Sequence, residues 1–182
     1  MKALLVIDMQ KVSFTPQTPR YESARVIEII NSLAQRFRQR DEKVIFIQHD
    51  GSKQNFCMPG SEEWEILSSL DVNPIDLIVS KTANDAFYNT GLKELLLQLG
   101  VNQLVVTGCA TDFCVDSTIK SALTNDFNVS IIADGHTTAD RPSLSAQQVI
   151  EHYNWIWSEM TPTQGRIEVI DYDAYLKSEA GL

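Results

Sequence analysis

Three side chains that close apolar runs have the types needed for nucleophilic chemistry. Asp8 ends LLVID, Lys81 ends LIVSK, and Cys114 stands in TGCATDFCV. A thiolate is a strong nucleophile, and its formation is favoured by a nearby ammonium. A sheltered carboxylate can take the thiol proton and later deliver it to a leaving group. The run ending at Gly108 predicts a tight turn, with Thr111 capping a helix that begins near Asp112. On that register Cys114 lies in the first helical turn. There the helix dipole and free backbone N–H groups favour thiolate and can stabilise an oxyanion. Each residue alone has a plainer reading. Cys114 packs a helix start, Lys81 is a solvated strand-end lysine, and Asp8 caps the next turn.

These residues need elements to bring them together. Five apolar runs recur at Ala3–Asp8, Lys43–His49, Asp76–Lys81, Gln103–Gly108 and Asn128–Asp134. They are continuous rather than alternating, as in strands buried on both faces of a parallel sheet. Between them lie segments of helical period. In Glu22–Arg40, Val26, Ile29, Ile30, Leu33 and Phe37 form one stripe. Thr90–Leu99 repeats leucine at the same spacing before Gly100. Residues 112–125 and 143–159 are further helices, and a strand at Ile167–Ile170 with a helix at Asp171–Ser178 closes the chain. The alternation predicts an α/β class fold, a three-layer α/β/α sandwich around a mostly parallel, Rossmann-like sheet. Such sheets bind ligands at the carboxyl ends of their strands. Asp8, His49 and Asp50, Lys81, the turn Gly108–Cys114, and Asp134 all lie there. Gly51–Gly60 is the longest loop and is placed to overhang that edge.

Bulk properties narrow the function. A length of 182 residues fits one domain, 1–182, with 43% hydrophobic and 21% charged residues. The formal charge of -9 and a pI near 4.7 disfavour a nucleic-acid partner. No run approaches the roughly 20 apolar residues that span a bilayer. The run Ala3–Ile7 is too short for a signal-peptide core. The expectation is a soluble, cytoplasmic protein with a small-molecule substrate and no membrane partner. Three cysteines, Cys57, Cys109 and Cys114, argue against a disulfide framework. The absence of CxxC and HExxH gives no support to a structural or protease-type zinc site.

The three blocks together resemble a known family. DMQ at 8–10, IVSK followed by AFYNT, and GCATDFCV at 108–115 are similar to the signature blocks of isochorismatase-like cysteine hydrolases. The resemblance runs from about residue 3 to residue 135. It implies a triad of Asp8 as base and then acid, Lys81 as electrostatic partner, and Cys114 as nucleophile. It also implies a cis peptide between Cys109 and Ala110 that aims the amides of Ala110 and Cys114 at an oxyanion. The implied reaction is hydrolysis of a small amide or carbamoyl C–N bond through a Cys114 thioester. A homo-oligomer is implied as well, and the tryptophan-bearing segment EHYNWIW is the first place to look for its interface. Nicotinamidases of the family carry a metal-binding DxH after the second strand. Here FIQHDGSKQ lacks it, so the expectation is no metal and no cofactor.

Two rival readings stay open. One is isochorismate-type vinyl ether hydrolysis, which needs no cysteine nucleophile. The other is a non-enzymatic redox-sensing or ligand-binding protein with a reactive Cys114. Phe14, His49, Phe87, Phe113 and His136 are the substrate-binding candidates, with Trp64 and Tyr88 as further pocket-lining residues. Cys109 reads as a small residue required by the bend, and Cys57 as incidental.

Overall fold

The computed structural model describes residues 1–162 and 164–180. Six strands, β1 (Lys2–Ile7), β2 (Lys43–His49), β3 (Leu77–Lys81), β4 (Gln103–Cys109), β5 (Asn128–Thr137) and β6 (Ile167–Ile170), form one sheet ordered β3-β2-β1-β4-β5-β6. Every pairing is parallel. Five helices connect and cover it: α1 (Ser23–Gln39), α2 (Leu92–Gln98), α3 (Asp116–Thr124), α4 (Ala146–Ser158) and α5 (Tyr172–Ala180). The α/β sandwich read from the sequence is the observed architecture.

Strand β1 shows why its run is continuous rather than alternating. Ala3, Leu5 and Ile7 enter one apolar layer, with Leu96 of α2, Ile119 of α3 and Trp157 of α4. Leu4 and Val6 enter the other, with Ile30 and Leu33 of α1 and Tyr175 of α5. Both sides of the pleat are therefore covered. Edge strand β3 departs from that expectation. Its outer positions are solvent-facing, with Ile78 56% exposed. It has a strand neighbour on one side only, so burial on both faces is not imposed there.

Two further differences lie near the carboxyl edge. Strand β5 continues to Thr137, beyond the apolar run, with a register irregularity opposite Val106–Gly108. The segment expected as one helix over 112–125 is divided. Thr111–Val115 forms a wide turn in which Val115 N–H donates to Ala110 O at 3.2 Å, and the regular helix starts at Asp116. An i→i+5 bond of this kind inserts one extra residue into the first turn.

Strand order reverses between β1 and β4, so the crossovers leave in opposite directions and open a crevice at their carboxyl ends. Asp8 follows β1, and the Thr111–Val115 turn follows β4.

Candidate active site

Asp8 sits one residue beyond β1, with a left-handed φ of 46° and its N–H donating to Ile47 O at 3.0 Å. That kink ends the strand and leaves the carboxylate at the crevice, 6% exposed. Lys81 ends β3, two strands away, in register with His49 of β2. Its stem lies across the end of β2. The ammonium donates to Asp8 Oδ2 at 2.6 Å and to Ala83 O at 2.9 Å, and stands 3.4 Å from Cys114 Sγ. A long cationic side chain is needed to cover that span. The solvated strand-end reading of Lys81 is overturned, because the residue is 1% exposed.

The third strand end is fixed by close backbone packing. Gly108 has φ of 123°, and a Cβ there would fall 2.2 Å from Ile7 O of the neighbouring strand. Only glycine lets β4 pass so near β1. The following Cys109–Ala110 peptide is cis, and Ala110 O accepts from Phe113 and Val115 N–H. Thr111 does not cap the helix. Its hydroxyl lies 2.9 Å from His136 Nδ1, and Ala110 occupies the cap position without a side-chain cap. Within this turn, Asp112 is held by Arg141 Nε and Nη2 at 2.6 and 2.8 Å. The same guanidinium lies over the Phe113 ring, 5.0 Å from its centroid.

Electrostatics at the sulfur differ from the expected thiolate. Burial pushes the Cys114 thiol well above its ordinary range, and the negative charge of Asp8 pushes it further. Lys81 pulls the other way without cancelling them. The arrangement at rest is therefore a thiol beside an Asp8–Lys81 ion pair. Asp8 Oδ1 is buried with no hydrogen-bond partner. The Cys114 thiol itself is directed at Asn84 Oδ1, 3.7 Å away.

A cavity of about 190 Å³ opens over these groups, with Asp8, Cys109, Ala110 and Cys114 in its floor. Its remaining lining includes His49, Phe56, Asn84 and Phe113. Of the residues singled out in the sequence, His49 and Phe113 reach it. Phe14 packs in the α1 core layer, and Phe87 stacks on Phe127 at 5.8 Å. Tyr88 is exposed, and Trp64 contributes a carbonyl that accepts from Gln10 Nε2 at 2.8 Å.

His136 is 1% exposed and away from the cavity lining. Its Nε2 lies 3.0 Å from Asn154 Oδ1, while Asn154 Nδ2 donates to Ala133 O. The amide orientation makes Nε2 the protonated nitrogen, so Nδ1 accepts from the Thr111 hydroxyl. Burial drives its pKa down to about 4. His136 thus holds the Thr111–Val115 turn as a neutral imidazole.

Five lining residues, Gln10, Val12, Ser13, Phe56 and Asn84, were not singled out in the sequence. Gln10 had a signal, as the polar residue of DMQ three positions past buried strand β1. Its amide accepts from His49 N–H at 2.7 Å and donates to His49 O at 3.1 Å, fixing the end of β2. Phe56 comes from the Gly51–Gly60 loop and stacks on His49 with centroids 5.9 Å apart. Cys57, read as incidental, is buried in this loop with Sγ 3.5 Å from Gln10 Nε2.

Among the described residues, no group of three or more His, Cys, Asp or Glu side chains is arranged to hold a metal ion. His49 Nδ1 lies 3.4 Å from the Lys81 ammonium, and burial followed by that charge lowers its pKa. A second cation at that nitrogen is electrostatically disfavoured. No helix among the described residues is long and apolar enough to cross a membrane.

The chain is similar to known proteins in sequence and in fold. A streptothricin hydrolase of Streptomyces noursei is 33% identical over 79% of this chain and 52% of its own length. A ureidoacrylate amidohydrolase of Methylorubrum extorquens is 27% identical over 57% of this chain and 43% of its own. The chain thus spans about half the length of these relatives. One solved isochorismatase-family structure is 32% identical, with TM-score 0.83 over 92% of this chain and 97% of that one. Another, from Chromobacterium violaceum, is 27% identical with TM-score 0.89, covering 99% and 94%. The isochorismatase domain model matches residues 2–164, and the chain belongs to the isochorismatase family.

Proposed function

We propose that this protein is a metal-independent cysteine hydrolase that cleaves a small-molecule amide or carbamoyl C–N bond through a Cys114 thioester. The observation that carries the reading is the Lys81 ammonium, 2.6 Å from Asp8 Oδ2 and 3.4 Å from Cys114 Sγ beneath an open cavity. The relatives named as a hydrolase and an amidohydrolase support the same class.

In this reading the thiol proton passes to Asp8 as the sulfur attacks the carbonyl carbon. The C=O electron pair moves to oxygen, giving a tetrahedral intermediate. The amides of Ala110 and Cys114 receive the oxyanion. Collapse reforms C=O and breaks the C–N bond, and Asp8 returns its proton to the leaving amine. Water then attacks the thioester, losing a proton to Asp8. The C–S bond breaks, and that proton goes back to sulfur. Lys81 stays charged throughout and stabilises whichever of Asp8 or sulfur is anionic.

A thiol at rest suits this cycle better than a redox sensor, which needs a standing thiolate. Turnover of a panel of amides and ureides by wild type and Cys114→Ala tests the proposal. Loss of at least about a thousandfold in kcat/KM is expected on removing the nucleophile. Full activity in Cys114→Ala refutes it and returns the site to acid–base chemistry without a thioester.

A further inference from the structure

The charge inventory of the cavity carries a statement about its substrate, resting on the amidase reading. Among the described lining residues Asp8 is the one that is formally charged, and Lys81 is its counter-ion. None of the described lining residues is a lysine or arginine. Two arginines lie beside lining residues without belonging to the lining. Arg141 is paired with Asp112, and Arg20 donates its Nε–H to Ser13 O from outside the lining.

The polar side chains of the lining are neutral and partly spent. Both ends of the Gln10 amide are bound to the backbone of residues 49 and 64. The others are Ser13, the Asn84 amide, whose Oδ1 lies 3.7 Å from Cys114 Sγ, and the His49 ring, whose Nδ1 lies 3.4 Å from the Lys81 ammonium, beside Val12, Phe56 and Phe113. An anion entering such a site loses its hydration without gaining a cationic partner. It also approaches a protein of net charge -9 and stops beside the Asp8 carboxylate.

The geometry points to an uncharged carboxamide or ureide, with an apolar portion against Phe56 and Phe113, as the substrate class. Carboxylate-bearing amides, ureido acids and isochorismate are excluded by the absence of a counter-cation among the lining residues.

The test uses two nearly isosteric thiol reagents that differ in charge, neutral iodoacetamide and anionic iodoacetate. Alkylation of Cys114 in the folded protein is followed by peptide mass spectrometry, so Cys57 and Cys109 do not contribute. The ratio of the two rates is divided by the same ratio for glutathione. A corrected preference of threefold or more for iodoacetamide is expected. A smaller preference, or a preference for iodoacetate, overturns the assignment. If iodoacetate acceptance is then lost in Arg20→Met, Arg20 is the carboxylate anchor instead. In parallel, butyramide is compared with succinamate, its carboxylate-bearing counterpart of similar size. Failure of every amide to turn over refutes the amidase reading, while the alkylation ratio still decides the charge preference of the cavity.

Discussion

The Lys81 ammonium stands 3.4 Å from the Cys114 sulfur, yet the thiol is held above its ordinary range. Burial and the Asp8 carboxylate, 2.6 Å from the same ammonium on its other side, outweigh the attraction. The sulfur therefore keeps its proton at rest, beside the Asp8–Lys81 ion pair. In the proposed cycle, substrate binding brings a carbonyl carbon to the sulfur and its oxygen to the Ala110 and Cys114 amides, and this makes proton transfer favourable.

Asp8→Asn separates thiol acidity from catalysis. Removing the carboxylate takes away a charge that raises the thiol pKa and leaves Lys81 unpaired beside the sulfur. Both changes act in the same direction, so the thiolate fraction at neutral pH rises. Alkylation of Cys114 by iodoacetamide at pH 7 is expected to accelerate by about tenfold or more. Turnover is expected to fall by roughly 10²–10⁴, since no group remains to carry the proton. Slower alkylation in this variant contradicts the assigned role of Asp8.

Lys81 also bears on stability. Its side chain is fully buried and paired with an Asp8 side chain that is 8% exposed. Lys81→Met leaves that carboxylate buried without a partner, at a cost of roughly 3–5 kcal/mol. Adding Asp8→Asn removes the uncompensated charge and is expected to recover about 2 kcal/mol, a coupling that urea denaturation of the four-member cycle measures. Additive losses contradict a buried ion pair.

His136 gives a pH dependence whose sign follows from its depressed pKa. Folded, it titrates at about 4, while the unfolded chain titrates near the usual histidine value. Its contribution is present above about pH 6.5 and is lost as the pH falls toward 4, on the order of 3 kcal/mol in all. Urea midpoints at pH 7 and pH 4.5 are expected to lie closer together in His136→Gln than in wild type. An unchanged gap between the two midpoints argues against a buried neutral imidazole.

The fold was legible because burial on both faces of a parallel strand leaves an unmistakable mark, as in Ala3–Ile7 and Gln103–Gly108. Strand-end position likewise pointed to Asp8, His49 and Lys81, since an open parallel sheet puts its crevice at those ends. What escaped depends on contacts between segments distant in sequence. Helix-start rules assigned Thr111 as a cap, whereas its hydroxyl is engaged by His136 from β5. Local dipole arguments favoured a thiolate at Cys114, but burial and a carboxylate 106 positions earlier decide the proton's location. Phe56 and Asn84 reach the cavity through loops whose paths no periodicity encodes.

The central claim is that Cys114 becomes acylated during turnover. The most direct measurement mixes protein with limiting amide, quenches in acid, and reads intact mass followed by peptide mapping. A gain equal to the acyl portion of the substrate, located on Cys114 and absent from Cys114→Ala, is the expected result. Product formation at wild-type rate with no adduct at any quench time, or with full activity in Cys114→Ala, contradicts it.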